Sequence, residues 1–450
     1  MSYEIELAIG SCESPWDLVI EDEEIAAASY LKSWEQYIRA FFSSAHEASL
    51  KERLITLLED EEDQILLEKI GAIAMRNQRS WFYGIEALGP AELLCVHQGI
   101  QDFPGQITPV IEGGRYRNYP GEDLFWQFWE TQRLLFVGAR DAVTHLEDLE
   151  EAFTVYPEII PRYLGADPFI TWIGHATLLI QVGGVNILTD PSFGFVFPCF
   201  MRHILPAVSR EELPFIDLIL CSHNHGDHAN QLDYFSRFQP EVFSGAKTQA
   251  WLEGMGFQRI HENAWWQSTL VYKEGQEIKI TAVPAQHGSQ LGLFDANKML
   301  WCGFVIEVGD KILYFAGDTA LGVEMVDQEG IPHPLFEQIK AQFGTIDVAF
   351  LPIAPEGEPN VHIDHKEALL AFQALGAKEI VPIHWGAYRT GKEKIEEPIQ
   401  LFMEEAERLG LQDQVRMLKV GESFICGMPL DTALGSFAPA IITSDNFKIC

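Results

Sequence analysis

The chain has 450 residues, of which 47% are hydrophobic and 22% charged, a near-average balance that excludes a disordered, a collagen-like and a small disulfide-rich protein. It contains 31 Lys and Arg residues and 66 Asp and Glu residues, so the formal net charge is −35. Because nucleic-acid binding requires dense Lys and Arg, we expect no nucleic-acid partner, and we expect an anionic lipid surface to repel the chain.

The sequence predicts a cytoplasmic protein without a transmembrane segment. No apolar run approaches the roughly 20 residues that a membrane-spanning helix needs. The N-terminus, residues 1–6, is acidic where a secretory signal would be basic. The seven cysteines are scattered and form no Cys-x-x-Cys pair, which favours reduced thiols and gives no support to a cysteine-based zinc site.

The first hundred or so residues have helical patterning. Apolar residues from Ile25 to Phe41 recur every three to four positions, as in an amphipathic helix. Gly and Pro become frequent over residues 84–121, which indicates a boundary near residue 105. A further helix is predicted over residues 123–138, with the aromatic content of a packed interface. Region 1–105 is therefore predicted to be a helical unit, and capping a site, mediating dimerisation and docking a partner all remain open as its role.

From residue 169 the pattern changes to short β-type runs that contain an internal repeat. The first copy consists of the run 177–182, the turn Gly183-Gly184, the run 185–188 and Asp190. The second copy consists of the run 304–308, the turn Gly309-Asp310, the run 312–315 and Asp318. Such turns between β-type runs indicate hairpins, and each copy continues into a strand, a helical stretch and another strand. This pattern predicts an α/β fold, a four-layer αββα sandwich whose strand-end Asp residues converge at one edge.

One motif dominates the chemistry of the chain: Ser222-His223-Asn224-His225-Gly226-Asp227-His228, directly after the predicted strand 218–221. Three imidazoles and a carboxylate within six residues can hold two metal ions. Further candidate ligands end other apolar runs: His287, Asp318 and His384. Imidazole and carboxylate ligands without thiolate favour Zn²⁺, and Mn²⁺ or Fe²⁺ accept the same ligand types.

These residues resemble the signature of the metallo-β-lactamase superfamily, His-x-His-x-Asp-His followed by a distant His, Asp and His. The resemblance covers about residues 165–425 and implies a hydrolase domain over residues 106–450, with 106–165 as a lead-in segment. It implies that a first metal ion is held by His223, His225 and His287 and a second by Asp227, His228 and His384. It also implies that Asp318 bridges both ions and that Asp190 orients a ligating histidine.

Within this superfamily, the chain most resembles phospholipases D that cleave N-acyl-phosphatidylethanolamine, together with related lactonase-like hydrolases. The stretches that carry the resemblance are Thr171-Trp-Ile-Gly-His-Ala-Thr, Leu188-Thr-Asp-Pro, the histidine motif, Pro284-Ala-Gln-His, Tyr314-Phe-Ala-Gly-Asp-Thr and Ile383-His-Trp-Gly. The chain departs from the phospholipases at Ala229-Asn230, where they have Leu-Asp. The resemblance implies hydrolysis of a small-molecule or lipid phosphodiester.

The expected mechanism uses a hydroxide that two divalent ions make available at neutral pH. Asp227, Asp318 and this hydroxide would offset three of the four positive charges of the ions, so the loaded site would carry about one positive charge, which suits a phosphodiester monoanion. Asp227, Asp318 and His362 are the expected catalytic residues, and His362 is the candidate that protonates the leaving alkoxide because it aligns with a phospholipase histidine. The expected hydrogen-bonding or substrate-contacting residues around the ligands are His175, Asn224 and Thr319, besides Asp190.

The loop over residues 193–205 contains four Phe and could line an apolar entrance for acyl chains, which would give peripheral membrane contact. Packing of this loop on the N-terminal helices is the alternative.

Two other functions remain open, a lactonase or amidase of the same fold and a non-catalytic partner-binding protein. The net charge argues against a ribonuclease, and His225 argues against a flavin-linked di-iron reductase, which has Glu there. The sequence leaves the oligomeric state open and is compatible with a dimer.

Overall fold

The computed structural model describes residues 93–100, 103–117, 152–157, 160, 163–194, 196, 202–273, 275–291, 295–322, 334–357, 362–391 and 393–430. The helices predicted within residues 1–92 and over 123–138 lie outside the described residues, as does most of the segment 195–201.

Short strands dominate the described part of the chain. The strands are β1 (Leu94–His97), β2 (Val110–Glu112), β3 (Arg115–Arg117), β4 (Phe169–Gly174), β5 (Thr177–Val182), β6 (Val185–Thr189), β7 (Leu218–Cys221), β8 (Glu241–Gly245), β9 (Ile260–Asn263), β10 (Ser268–Lys273), β11 (Gln276–Val283), β12 (Gly303–Val308), β13 (Lys311–Phe315), β14 (Val348–Pro352), β15 (Glu379–Ile383) and β16 (Ser423–Ile425). The α-helices are α1 (Gln249–Gly254), α2 (Leu335–Phe343), α3 (His365–Leu375) and α4 (Glu397–Leu409). Two 3₁₀ helices cover Leu232–Phe238 and Gln412–Gln414.

Two seven-stranded sheets form the centre of the molecule. The first has the strand order β16-β4-β5-β6-β7-β8-β9, and the second has the order β1-β10-β11-β12-β13-β14-β15. Helices flank the sheets, so the architecture is the predicted αββα sandwich. Strands β2 and β3 form a separate two-stranded sheet.

The two copies of the predicted repeat occupy equivalent places in the two sheets. The antiparallel hairpin β5–β6 turns at Gly183-Gly184, and the hairpin β12–β13 turns at Gly309-Asp310. Each hairpin is followed by two parallel strands, β7 and β8 in the first sheet and β14 and β15 in the second. The repeat is therefore confirmed. The helical stretch predicted after β7 in the first copy is a 3₁₀ helix over Leu232–Phe238. The two residues that flank it, Gln231 and Gln239, have left-handed backbone conformations.

The parallel strands explain why their sequences are continuously apolar. Every residue of β7 and of β14 is buried, because each strand has neighbours on both sides and both of its faces are covered. The polar residues that follow these strands therefore come directly after the core, at the edge where the carboxyl ends of the parallel strands meet.

Strand β1 shows that the second sheet starts earlier in the chain than predicted. Its four residues pair with β10 in antiparallel register, from Leu94 opposite Tyr272 to His97 opposite Thr269. This strand precedes the boundary predicted near residue 105, so that boundary does not separate the sheet from what comes before it. Among the residues described, none of the helices is both long and apolar enough to cross a membrane.

Candidate metal centre

The predicted ligands all lie in loops that leave the strands at one edge of the sandwich. The histidine motif follows β7, and Asp190 follows β6. His287 follows β11, Asp318 follows β13 and His384 follows β15. The repeat thus brings equivalent strand ends of the two sheets together, and the side chains form two adjacent clusters.

The first cluster contains His223, His225, His287 and Asp318, whose ligand atoms all lie within 4.8 Å of one another. His225 Nδ1 lies 2.9 Å from His223 Nε2 and 3.1 Å from His287 Nε2. These three histidines are the ones that the family resemblance assigns to one metal ion.

The second cluster contains Asp227, His228, His384 and also His175. The Nε2 atoms of His228 and His384 are 3.2 Å apart and lie 3.6 Å and 3.5 Å from Asp227 Oδ2. His175 Nε2 lies 3.2 Å from the same carboxylate oxygen. His175 is therefore a member of the second cluster, beyond the hydrogen-bonding or substrate-contacting role that the sequence predicted.

Asp318 lies between the two clusters. Its Oδ2 is 3.6 Å from His287 Nε2 and 3.0 Å from His228 Nε2, and its Oδ1 is 3.1 Å from His384 Nε2. The position agrees with the bridging role that the resemblance implies.

Hydrogen bonds outside the clusters fix which ring nitrogens carry protons. Asp190 accepts bonds from His228 Nδ1 (2.7 Å), from Ser222 N (2.7 Å) and from Ser222 Oγ (2.6 Å). Because the Ser222 hydroxyl proton goes to Asp190, Ser222 Oγ accepts from His223 Nδ1, at 2.8 Å. His384 Nδ1 donates to the carbonyl of Ala354, at 3.0 Å. In the neutral form of each ring, these bonds leave Nε2 of all three histidines pointing into the clusters as a lone pair.

This arrangement fits divalent cations. The lone pair of His228 Nε2 faces that of His384 Nε2, and both face Asp318 oxygens at about hydrogen-bond distance. Acceptors cannot bond to acceptors, so the buried group requires positive charge between its members. Neutral imidazoles and carboxylates are the donor set that binds zinc and similar divalent ions.

The pKa shifts in the clusters point the same way. Burial lowers the pKa of His225 to about 4 and, with the neighbouring imidazoles, holds the pKa of His223 well below its usual range, so both rings are neutral and able to bind metal. Burial also lowers the pKa of His384, but the carboxylates outweigh it and raise this pKa to about 9. Burial also lowers the pKa of His228, but the carboxylates of Asp318 and Asp227 outweigh it and hold this pKa well above its ordinary value.

His362 lies beside the clusters, but the structure does not favour it as a proton donor. Its Nδ1 is 3.7 Å from Asp318 Oδ2, is buried and makes no hydrogen bond. Burial lowers the pKa of His362 to about 3, although Asp318 raises it, so the ring is neutral near pH 7. A neutral ring can offer a hydrogen bond to a substrate oxygen, whereas the predicted protonation of an alkoxide would need an imidazolium.

Two other predicted residues occupy different settings. Thr319 Oγ1 accepts a bond from Gln286 N (3.0 Å) and donates to Ala320 O (2.9 Å), so it ties the loop of His287 to the loop of Asp318. Both amide atoms of the Asn224 side chain are buried without a hydrogen-bond partner, although the residue stands inside the motif.

The sequence did not single out Ser222 and Tyr388. Ser222 connects Asp190 to His223, and the Tyr388 ring packs edge-on against the His175 ring, with centroids 4.9 Å apart. The Tyr388 hydroxyl donates to Gly194 O at 2.7 Å. Ser222 could have been noted because it opens the motif, but Tyr388 follows His384 without any pattern of its own.

Partly exposed residues mark the open side of the centre. His225, Asp227 and His362 are partly exposed, while the other cluster members are buried. A substrate would therefore approach past these three side chains. Residues 195 and 197–201 of the apolar loop over 193–205 lie outside the described residues, so an entrance for acyl chains stays a prediction.

The fold and the paired clusters define a metallo-β-lactamase type of protein. A model of the β-lactamase superfamily domain matches residues 185–385, which span the chain from β6 to His384. Residues 185–385 thus match the β-lactamase superfamily domain, in agreement with the resemblance that the motifs carry.

The similar proteins include two curated phospholipases. The chain is 32% identical over 242 residues to the N-acyl-phosphatidylethanolamine-hydrolyzing phospholipase D 1 of Caenorhabditis elegans, which covers 50% of this chain and 65% of the relative. It is 31% identical over 270 residues to the mitochondrial N-acyl-phosphatidylethanolamine-hydrolyzing phospholipase D of Saccharomyces cerevisiae, covering 56% of this chain and 55% of the relative. The chain thus spans less than two thirds of either relative.

A solved structure also resembles part of the chain. A metallo hydrolase from the archaeon Ignicoccus hospitalis aligns with a TM-score of 0.43 and 24% identity, over 58% of this chain and 99% of that one.

Proposed function

We propose that this chain is a metal-dependent hydrolase that cleaves phosphodiesters, as a phospholipase D acting on N-acyl-phosphatidylethanolamine or a related diester. The observation that carries the proposal is the position of Asp318 between two His and Asp clusters, with oxygens 3.0 Å and 3.1 Å from two imidazole nitrogens of the second cluster. The names of the two phospholipase relatives support the choice of substrate.

In this proposal each cluster holds one divalent ion. His223, His225 and His287 would hold the first, Asp227, His228 and His384 the second, and Asp318 would contact both. Divalent ions bound there would supply a Lewis acid and a water molecule with a pKa lowered towards neutrality. We propose Zn²⁺ because the ligands are imidazoles and carboxylates. Mn²⁺ and Fe²⁺ accept the same ligands and are tested beside Zn²⁺ in the experiment below.

The chain's own residues would bind and orient the substrate. The three partly exposed residues of the open side face the reacting phosphodiester. The unpartnered Nδ1 of His362 is placed to hydrogen-bond a phosphoryl or leaving-group oxygen. Asp190 and the Ala354 carbonyl keep the inner histidines in the tautomer that presents Nε2 to the centre, a function that such partners commonly serve.

Substrate profiling of the chain, stripped with a chelator and then reloaded with each metal, tests the proposal. The substrates are N-acyl-phosphatidylethanolamine, bis-p-nitrophenyl phosphate and a lactone. We expect diester hydrolysis, with release of N-acylethanolamine and phosphatidic acid from the lipid. Turnover of the lactone without turnover of either diester would overturn the phosphodiesterase assignment. A chain that takes up no metal on reloading and turns over none of the substrates would favour a partner-binding protein.

The variant Asp318→Asn sharpens this experiment. It removes the charge that joins the clusters but keeps the side-chain shape, so we expect diester turnover to fall by at least about 10²-fold. The matched control is Asp310→Asn in the turn of the same hairpin, where the carboxylate is exposed and lies 3.1 Å from Lys311 Nζ. Equal activity of the two variants would contradict the proposed centre.

A further inference from the structure

A third cluster of side chains that could bind metal lies at the edge of the second sheet opposite β15, where β1 of that sheet meets β8 and β9 of the first sheet. It consists of Cys95 and His97 on β1, Glu241 on β8 and His261 on β9. None of these residues belongs to the two clusters described above. Its location therefore makes it independent of the proposed function.

The strand registers bring these side chains together. Cys95 and His97 are two positions apart on β1, so they share one face, and they stand opposite the buried residues Val271 and Thr269. His261 stands opposite Phe243 on the neighbouring strand, and its ring stacks on the Phe243 ring with centroids 4.5 Å apart. Glu241, two positions before Phe243, shares that face.

Contacts between the strands are short. The thiol of Cys95, a carboxylate oxygen of Glu241 and a ring nitrogen of His261 all lie within 4.8 Å of one another. His261 Nε2 is 2.7 Å from Glu241 Oε2, and His261 Nδ1 is 2.9 Å from His97 Nε2, a contact that crosses from one sheet to the other. Ligand atoms around a tetrahedral zinc ion are about 3.3–3.8 Å apart, so small side-chain movements would suffice to admit an ion.

The hydrogen-bond chain allows His261 to present a lone pair. His97 Nδ1 lies 3.0 Å from the Thr269 hydroxyl. When His97 donates to Thr269, its Nε2 accepts from His261 Nδ1, and His261 Nε2 then faces the Glu241 carboxylate as an acceptor. That arrangement requires a cation between the two groups. In the opposite arrangement of protons, His261 donates to Glu241 and no cation is needed.

We propose that Cys95, Glu241 and His261 bind a divalent transition-metal ion, Zn²⁺ by ligand type, that joins the edges of the two sheets. His97 holds the other nitrogen of His261, as outer partners of metal-bound histidines commonly do. Binding displaces the thiol proton to solvent and forms the metal–sulfur bond. The fourth position of a tetrahedral ion is left to water. Sequence patterns do not indicate this site, because its ligands come from three separate strands and include a single cysteine.

Cobalt substitution of the full chain separates this site from the proposed active centre. The two active-centre clusters of the described residues contain no thiol, so they give no thiolate-to-cobalt charge-transfer band in the near ultraviolet. Loss of such a band in Cys95→Ser assigns it to the site at Cys95. We expect the Co²⁺-loaded chain to show this band. We expect Cys95→Ser to abolish it and to bind one ion fewer per chain, and Glu241→Gln to weaken it.

The matched control is Cys426→Ser. Burial raises the pKa of Cys426 to about 12, as burial and Glu241 do for Cys95, but Cys426 follows β16 and is not one of the residues of the proposed site. We expect the control to keep the band, and we expect Cys95→Ser to keep its diester turnover because the cluster lies outside the active centre. A Co²⁺-loaded wild-type chain without the band, or a band that survives Cys95→Ser, would overturn the proposal and leave the cluster as a hydrogen-bonded link between the sheets.

Discussion

At the scale of single residues, the candidate centre is held in unusual backbone conformations. His175, Asp190 and His384 have φ angles of 55°, 30° and 62°, in the left-handed region that non-glycine residues rarely adopt. Such conformations cost about 1–3 kcal/mol each and persist where surrounding contacts fix them. The His384 amide donates to His175 O at 3.1 Å, and the Asp190 amide donates to Leu220 O at 2.9 Å. The backbone itself therefore fixes the positions of these side chains.

We predict that Asp190→Asn weakens metal binding without removing a ligand. The amide would present an N–H or a weaker acceptor to His228 Nδ1 and to Ser222, so His228 would no longer be held in the tautomer that points Nε2 inward. Metal affinity should fall by about 10- to 100-fold, which competition with a chelator measures. Unchanged affinity in a folded variant would show that Asp190 does not orient His228.

We predict that His362→Gln lowers diester turnover by about 10- to 100-fold, as loss of one hydrogen bond to a charged substrate implies. The metal content should stay unchanged, because His362 is not needed to complete either cluster. His365→Gln, a nearby histidine that pairs with Glu356, serves as the control. Because the His362 ring is neutral near pH 7, the pH–rate profiles of the wild type and of His362→Gln should have the same shape. A fall in rate at high pH that the wild type shows and the variant lacks would instead identify His362 as a proton donor.

At the scale of elements, the strand ends must fit closely against one another. Gly317, between β13 and Asp318, has a φ of 59°, and a Cβ there would lie 2.5 Å from Ser222 Cβ. Since Ser222 bonds both Asp190 and His223, this one close approach connects the loops of the two sheets.

We predict that Gly317→Ala disturbs the centre as well as the fold. Gly309 offers a matched control, because it has the same φ of 59° but nothing within 4 Å of the position of a Cβ. Both substitutions should cost about 1–2 kcal/mol for the left-handed conformation. Only Gly317→Ala should also lower metal affinity, and chemical denaturation together with metal titration measures both effects. Equal metal affinity of the two variants would contradict the role of this contact.

We predict that Asp364→Ala destabilises the chain by about 1 kcal/mol through the start of α3. Asp364 accepts bonds from the amides of Lys366 and Glu367, both at 2.9 Å, and the Glu367 side chain bonds back to the Asp364 amide. The substitution should also lower turnover, because His362 stands two residues before this cap. Asp233→Ala, in a 3₁₀ helix without a side-chain cap, is the control for denaturant unfolding. Equal unfolding midpoints for the two variants would refute the contribution of the cap.

The sequence was most informative where a pattern is local. The hairpins, the parallel strands after them and the motif after β7 follow from turns and apolar runs within a few residues of one another. Sequence patterns could not place His175 in the second cluster or Ser222 between Asp190 and His223, because those contacts join residues far apart in the chain. Strand β1 escaped prediction because it is a short edge strand with an exposed pattern among Gly and Pro residues.

At the scale of the whole molecule, negative charge contrasts with a centre that requires cations. The chain carries a net charge of −35, while the two clusters gather imidazoles and carboxylates that could hold metal ions. We therefore expect the net charge of the chain to affect how a substrate approaches, and the residues of the two clusters to determine the reaction. Cytoplasmic location and oligomeric state stay predictions.

We predict that lipid turnover depends on the charge of the vesicle that carries the substrate. At low ionic strength, hydrolysis of N-acyl-phosphatidylethanolamine diluted in anionic vesicles should be slower than in zwitterionic vesicles. Added salt should reduce the difference, because it screens repulsion between exposed charges over about 8–10 Å. Initial rates at increasing salt measure this, and faster turnover in anionic vesicles at low salt would show that a local basic surface outweighs the net charge.

The most direct test of the paired metal centre is the rate of bis-p-nitrophenyl phosphate hydrolysis while metal is returned to the metal-free chain. We expect no turnover without metal, recovery as divalent ions are added and no recovery in Asp318→Asn under the same conditions. Undiminished turnover by the metal-free chain, or recovery of Asp318→Asn to the wild-type rate, would contradict a paired metal centre joined by Asp318.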